Sequence, residues 1–214
     1  MLRKKPFLKI FLLFTITLAG LLLVYPSLRN TYRDFLITTG NSFLGHPGKQ
    51  ASVKFLENNE EKYLDMTMYI GNSFKMETEP NAVFWITKAS TMYLSWIPLA
   101  LMIALVIASP VRLLKKLIIF ISGIIIVHII TYIKLLIQIY YVANTHRDLD
   151  ILLLSPFWFK VNSLLLDNFV DTVQPSLVLI FIIWMLMTFT YKDYNKLMGL
   201  TKLTTKRKSR GDFT

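Results

Sequence analysis

Four runs of apolar residues constrain this chain more than any other feature: Phe7 to Tyr25, Met92 to Ser109, Leu117 to about Val142, and Pro175 to Tyr191. A helix needs about 20 apolar residues to cross the hydrocarbon core of a bilayer. The second and fourth runs carry no charge, the first holds only Lys9, and the third is interrupted by His128, Lys134 and Gln138. A backbone in lipid must satisfy its own hydrogen bonds, so long unalternating runs read as helices and not as barrel strands. Charged residues make up 17% of the 214, against roughly 25% in soluble domains. Cysteine is absent, which removes disulfides, thiol catalysis and thiolate metal sites. The expected fold is a membrane all-α protein of four transmembrane helices (7–25, 92–109, 117–142 and 175–191). A small extracytoplasmic segment containing a β-hairpin would lie between the first two.

Basic residues near span ends set orientation. Arg3, Lys4, Lys5 and Lys9 cluster at the start, and Arg112, Lys115 and Lys116 lie between the second and third spans. The tail from Tyr191 holds seven basic and two acidic residues. Residues 26–90 hold seven of each, and residues 143–174 hold two basic and four acidic. This alternation places both termini and the 110–116 turn in the cytoplasm, with 26–90 and 143–174 outside. The first run is longer than the 7–15-residue core of a signal peptide, and its end is a poor cleavage site, so it reads as an uncleaved anchor. Lys206, Arg207, Lys208 and Arg210 in the tail 192–214 would meet anionic lipid headgroups. The tail lacks the aromatic interleaving of a nucleic-acid surface, and no nucleic-acid partner is expected.

In the first outward segment, Ser27 to Gly40 reads as a short amphipathic piece and Val53 to Leu56 as a short strand. Leu64, Met66, Met68 and Ile70 alternate with Tyr63, Asp65, Thr67 and Tyr69, the period of a half-buried strand. Gly71-Asn72-Ser73 signals a turn, and Phe74, Met76 and Thr78 alternate again, so residues 62–79 read as a β-hairpin. Val83 to Ile86 offers one more strand. Met66, Met68 and Met76 read as core, with an adaptable partner surface as the alternative. In the second outward segment, the apolar run Leu149 to Phe159 is too short to span and reads as interfacial or re-entrant.

The third run carries the candidate chemistry. His128, Thr131, Lys134 and Gln138 fall on one side of a helix, as does Tyr141. Ionisable residues inside a span are costly and are functional candidates. For His128, hydrogen bonding to a neighbouring helix competes with a proton relay; Lys134 lies near the outer interface, where it can snorkel. His146, Asp148 and Asp150 form a second, outward-facing set. Asp167 and Asp171 sit one helical turn apart but offer too few ligands for a cation site. No zinc, phosphate-loop, nucleophile-elbow or cofactor motif is present, and no cofactor or metal is expected. Pro98 should kink the second span.

Tyr93 to Arg112 reads YLSWIPLALMIALVIASPVR. This Leu- and Ala-rich span, with Pro98, Ala100, Leu101, Ala104, Leu105 and Ala108 closed by Ser109-Pro110 and Arg112, is similar to the middle of small exosortase-associated membrane proteins. The layout of one anchor, a small outward segment and a cluster of spans also resembles theirs. Exosortases are membrane transpeptidases that process proteins with a C-terminal sorting helix, and they use Cys, Arg and His. A chain without Cys is not that catalyst. The resemblance implies a bacterial inner membrane, an exosortase-like partner and a role beside envelope protein sorting.

Three readings of function follow. The first is a non-enzymatic accessory protein that docks a larger membrane protein. The second is a small oligomeric transporter or channel using the polar side of the third span. The third is a membrane hydrolase or transferase built on His146, Asp148 and Asp150.

Overall fold

The computed structural model describes residues 6–48, 50–61, 63–78, 83–149, 151 and 154–189. The chain is mostly helical and carries one three-stranded antiparallel sheet. Helix α1, Pro6–Leu44, is 39 residues long and passes through Pro26. The sequence reading ended the first span at Tyr25 and made Ser27 to Gly40 a separate piece; the structure joins them. One helix of this length runs about 58 Å, nearly twice the apolar thickness of a bilayer. Pro26 removes one helical hydrogen bond, but Ile37 and Leu44 beyond it pack on the sheet, and that burial holds the helical turns in place.

Strands β1 (Ala51–Glu57), β2 (Met66–Asn72) and β3 (Phe84–Ala89) pair in sequence order. Phe55 faces Met68, and Met68 faces Thr87. The inner face (Val53, Phe55, Met66, Met68, Ile70) packs against α1 and the long helix α4, Leu113–Thr145, at Leu135, Ile139 and Ala143. Gly40 lets the Phe55 ring close on α1: a β-carbon there would lie 3.3 Å from the ring. Asn41 stands in for a neighbouring strand at the edge of β1. Its side-chain amide donates to the Phe55 carbonyl at 3.0 Å, and its oxygen accepts the Phe55 N–H at 2.8 Å.

The proposed hairpin over 62–79 does not form. Ser73–Thr78 is a short helix, α2, and the partners of β2 are β1 and β3. Asn72 explains the switch: its side-chain oxygen accepts the N–H groups of Phe74 (3.0 Å) and Lys75 (3.3 Å), starting a helix where a hairpin turn was read. Met66 and Met68 are fully buried, as the core reading required. The side chain of Met76 lies outside the described residues.

A π-helical turn, Met92–Trp96, leads into α3, Ile97–Ala108. Pro98 therefore stands in the first turn of α3, where its missing N–H costs little, and the widened turn before it takes the place of the expected mid-span kink. Helix α3 packs against α1, α4 and α6 (Gln174–Thr188). Gly123 of α4 makes room for Met102 of α3, since a β-carbon at 123 would lie 2.9 Å from Met102 Cγ and closer still to the side-chain tip. Helix α5, Pro156–Leu165, and the π-helical turn Leu166–Val170 precede α6 at a bend of 80°. Trp158 and Phe157 on α5 are exposed, and Asn162 ties α5 to α4 through the Ile137 carbonyl at 3.1 Å.

Two helices, α1 and α4, are long and apolar enough to cross a membrane. Helix α3 with its π turn, Met92–Ala108, is apolar but shorter, and α6 qualifies only together with the bent segment before it. The second half of α4 also differs from the sequence reading. From Leu135 onward it is the floor of the sheet domain, so the expected span 117–142 is part bundle and part scaffold.

Candidate functional site

The junction between bundle and sheet concentrates the polar chemistry of the described residues. Tyr25, Arg29, Tyr32 and Arg33 recur at helical spacing along α1, on the face that meets the sheet and α3. The carboxylate of Asp65, buried just before β2, is the centre of this junction. Its Oδ1 accepts the Thr91 N–H at 2.8 Å, and its Oδ2 accepts the Thr91 hydroxyl at 2.7 Å and Arg29 Nε at 3.1 Å. The Tyr25 hydroxyl lies 3.3 Å from Oδ2 and 2.9 Å from Thr91 Oγ1. A buried carboxylate met by donors from α1 and from Thr91 acts as a clamp between α1, β2 and the start of the π turn. One turn further along α1, Arg33 donates to Glu57 at 2.7 Å and to Asn59 at 3.2 Å, binding the end of β1.

His128 lies beside this clamp. Its Nδ1 donates to the Ile124 carbonyl at 2.8 Å, which leaves Nε2 as an acceptor for the Tyr32 hydroxyl at 3.4 Å. Tyr32 also meets Ser95 at 2.6 Å, and its ring packs edge-on against Trp96. Thr131 bonds back to the Val127 carbonyl at 3.0 Å. Gln138 reaches β3, donating to Thr87 Oγ1 at 2.8 Å. Lys134 is almost wholly buried, with Nζ 5.0 Å from the centre of the Phe169 ring. The four residues of the expected polar side therefore face different neighbours: α1, their own helix, the π turn before α6, and the sheet.

A cavity of about 380 Å³ opens among Leu64, Lys88, Tyr93, Gln138 and Asp171. Burial pushes the Asp171 carboxyl up from its ordinary value, the charge of Asp167 adds to this, and Lys134 opposes it. Lys88, which also lines the cavity, pairs with Glu61 at 2.6 Å, which holds the ammonium above its usual pKa.

The outward set is only partly assembled. His146 stacks on Trp85 of β3, with ring centres 3.4 Å apart, and Trp85 Nε1 donates to Asp148 at 3.3 Å. Asp150 lies outside the described residues, as does the basic tail with Lys206 to Arg210. Among the described residues no three His, Asp or Glu side chains converge to hold a metal.

The sequence reading missed Tyr25, Arg29, Asp65 and Thr91. Asp65 looked like the solvent side of an alternating strand. The signal that could have found its partners was the helical spacing of Tyr25, Arg29, Tyr32, Arg33 and Leu36, hidden by ending the first helix at Pro26. No protein-family model matches this chain, and neither a curated protein nor a solved structure does.

Proposed function

We propose that this chain is an accessory membrane protein that presents its sheet domain to a larger membrane partner. The observation carrying this reading is the outer face of the sheet. Tyr69 and Ile86 are cross-strand neighbours there, and Phe84 packs its ring on Tyr69 at 5.4 Å. Phe84, Ile86 and Leu56 are exposed on that face. Aromatic and aliphatic residues gathered on a small exposed sheet mark an interaction surface. The Asp65 clamp holds this sheet on α1, so the surface is presented at a fixed angle above the bundle. In this reading the chain lies in a bacterial inner membrane, crosses it four times through α1, α3, α4 and α6, and keeps both termini in the cytoplasm. The resemblance of Tyr93 to Arg112 makes an exosortase-type transpeptidase the partner of choice.

Site-specific photocrosslinking tests the reading. A photoreactive residue at Phe84 or Ile86 is expected to give one adduct with a multi-span membrane transpeptidase in native membranes, while one at exposed Leu113 is not. Adducts of equal yield from all three positions, or none from the sheet, would overturn it.

A further inference from the structure

Away from the sheet, α1, α3 and α6 leave an open groove of about 940 Å³. Phe11 and Phe14 of α1, Leu105 and Ala108 of α3 and Trp184 of α6 form its apolar walls. The volume lies in the upper part of the range for ligand sites, roughly 300–1,000 Å³. One end of this groove is polar. Thr188 lines it and is buried, yet its hydroxyl has no hydrogen-bond partner among the described residues. A buried hydroxyl left unpaired costs free energy, and a ligand oxygen would relieve that cost. Lys115 Nζ donates to the Thr188 carbonyl at 2.6 Å and keeps two further N–H donors. Lys116 donates to the Ile107 carbonyl at 2.8 Å, and Arg112 is exposed on the same turn. Among the described residues none of these three cations pairs with a carboxylate. The sequence holds no Asp or Glu between Glu79 and Asp148.

We propose that the groove holds an acyl chain of an anionic glycerophospholipid, with the lipid phosphate at Arg112, Lys115 and Lys116 and a lipid oxygen accepting the Thr188 proton. Charge complementarity selects this occupant. An apolar slot beside three cations that pair with no carboxylate among the described residues suits a molecule with a greasy tail and a negative head. A second copy of the chain would bring the same basic rim against itself. An apolar helix from another protein would fill the slot and leave both the cations and Thr188 unmatched. A zwitterionic lipid has the phosphate but carries its own ammonium, which weakens the match.

Native mass spectrometry of the full chain in mild detergent, titrated with phosphatidylglycerol or phosphatidylcholine, tests the proposal. One phosphatidylglycerol is expected to be retained at about tenfold lower concentration than phosphatidylcholine. Ala108→Trp fills the groove and is expected to abolish retention. Thr188→Val combined with Lys115→Met leaves the groove open and is expected to weaken phosphatidylglycerol about tenfold and phosphatidylcholine by less, which narrows the gap between the two lipids. This pair carries the test should Ala108→Trp not fold. Changing Lys206, Arg207 and Lys208 to Gln, which alters only the tail, is expected to leave the single lipid in place. Equal retention of the two lipids overturns the proposal. So does loss of lipid on changing the tail, no effect of Thr188→Val with Lys115→Met, or a dimer carrying no lipid.

Discussion

Arg29 and Asp65 stand 36 residues apart, yet Nε of the first donates to Oδ2 of the second at 3.1 Å, and the same carboxylate also accepts the N–H and the hydroxyl of Thr91. This contact joins the membrane-sized helix α1 to the sheet and to the entrance of α3. Most of what the sheet domain presents depends on it.

Removing the carboxylate is expected to release the sheet. Asp65→Ala leaves Arg29, the Thr91 N–H and the Tyr25 hydroxyl without their acceptor, at a cost of about 3 kcal/mol. Asp65→Asn keeps an oxygen for the Thr91 N–H and is expected to cost less. Thermal unfolding in detergent, followed by near-ultraviolet circular dichroism, reads both. A Tm for Asp65→Ala equal to that of the unaltered chain would contradict the clamp.

Gly123 of α4 packs directly against the Met102 side chain of α3. Gly123→Val is expected to destabilise the bundle by about 2 kcal/mol, because the added atoms meet a side chain packed from the opposite helix. Met102→Ala in the same chain should recover part of that loss. Additive losses in the double variant would show that the two positions are not in contact.

The stack of Trp85 on His146 fixes β3 to the end of α4. His146→Ala is expected to cost about 1 kcal/mol. The effect should be local: amide exchange in Phe84–Ala89 rises severalfold, while exchange in Ile97–Ala108 stays as it was. Equal acceleration in both segments would place the stack in the global core instead.

Asp171 gives the fold a pH dependence of defined sign. Its carboxyl is raised above the ordinary 3.8, first by burial and then by Asp167, with Lys134 opposing. The folded chain therefore binds this proton more tightly than the unfolded chain. Stability is highest below 3.8 with respect to this group and falls as pH rises from there through the raised value. Asp171→Asn is expected to flatten that slope. Denaturant midpoints across the acid range measure it, and a slope unchanged in Asp171→Asn would assign the effect to another group.

The apolar helices were legible because a run such as Ile124 to Ile130 is local information that needs no partner to be read. Strand periodicity placed Met66, Met68 and Ile70 on the inner face for the same reason. The hairpin over 62–79 was misread because alternation at Phe74, Met76 and Thr78 is weak next to the hydrogen bonds that Asn72 gives to Phe74 and Lys75. The polar residues of α4 were visible as a set, but their partners were not. Tyr32 lies 96 residues from His128, and Thr87 lies 51 from Gln138.

By itself the sequence determined that much of this chain is too apolar for water and helical where it is so, since hydropathy and backbone self-satisfaction act over one turn at a time. Only the tertiary structure decided that α1 runs on through Pro26, that the end of α4 is floor to a sheet, and that Asp65 is buried and not wet. Burying a charge is favourable only when its donors arrive from other elements, and nothing in the neighbourhood of residue 65 announces Tyr25, Arg29 or Thr91.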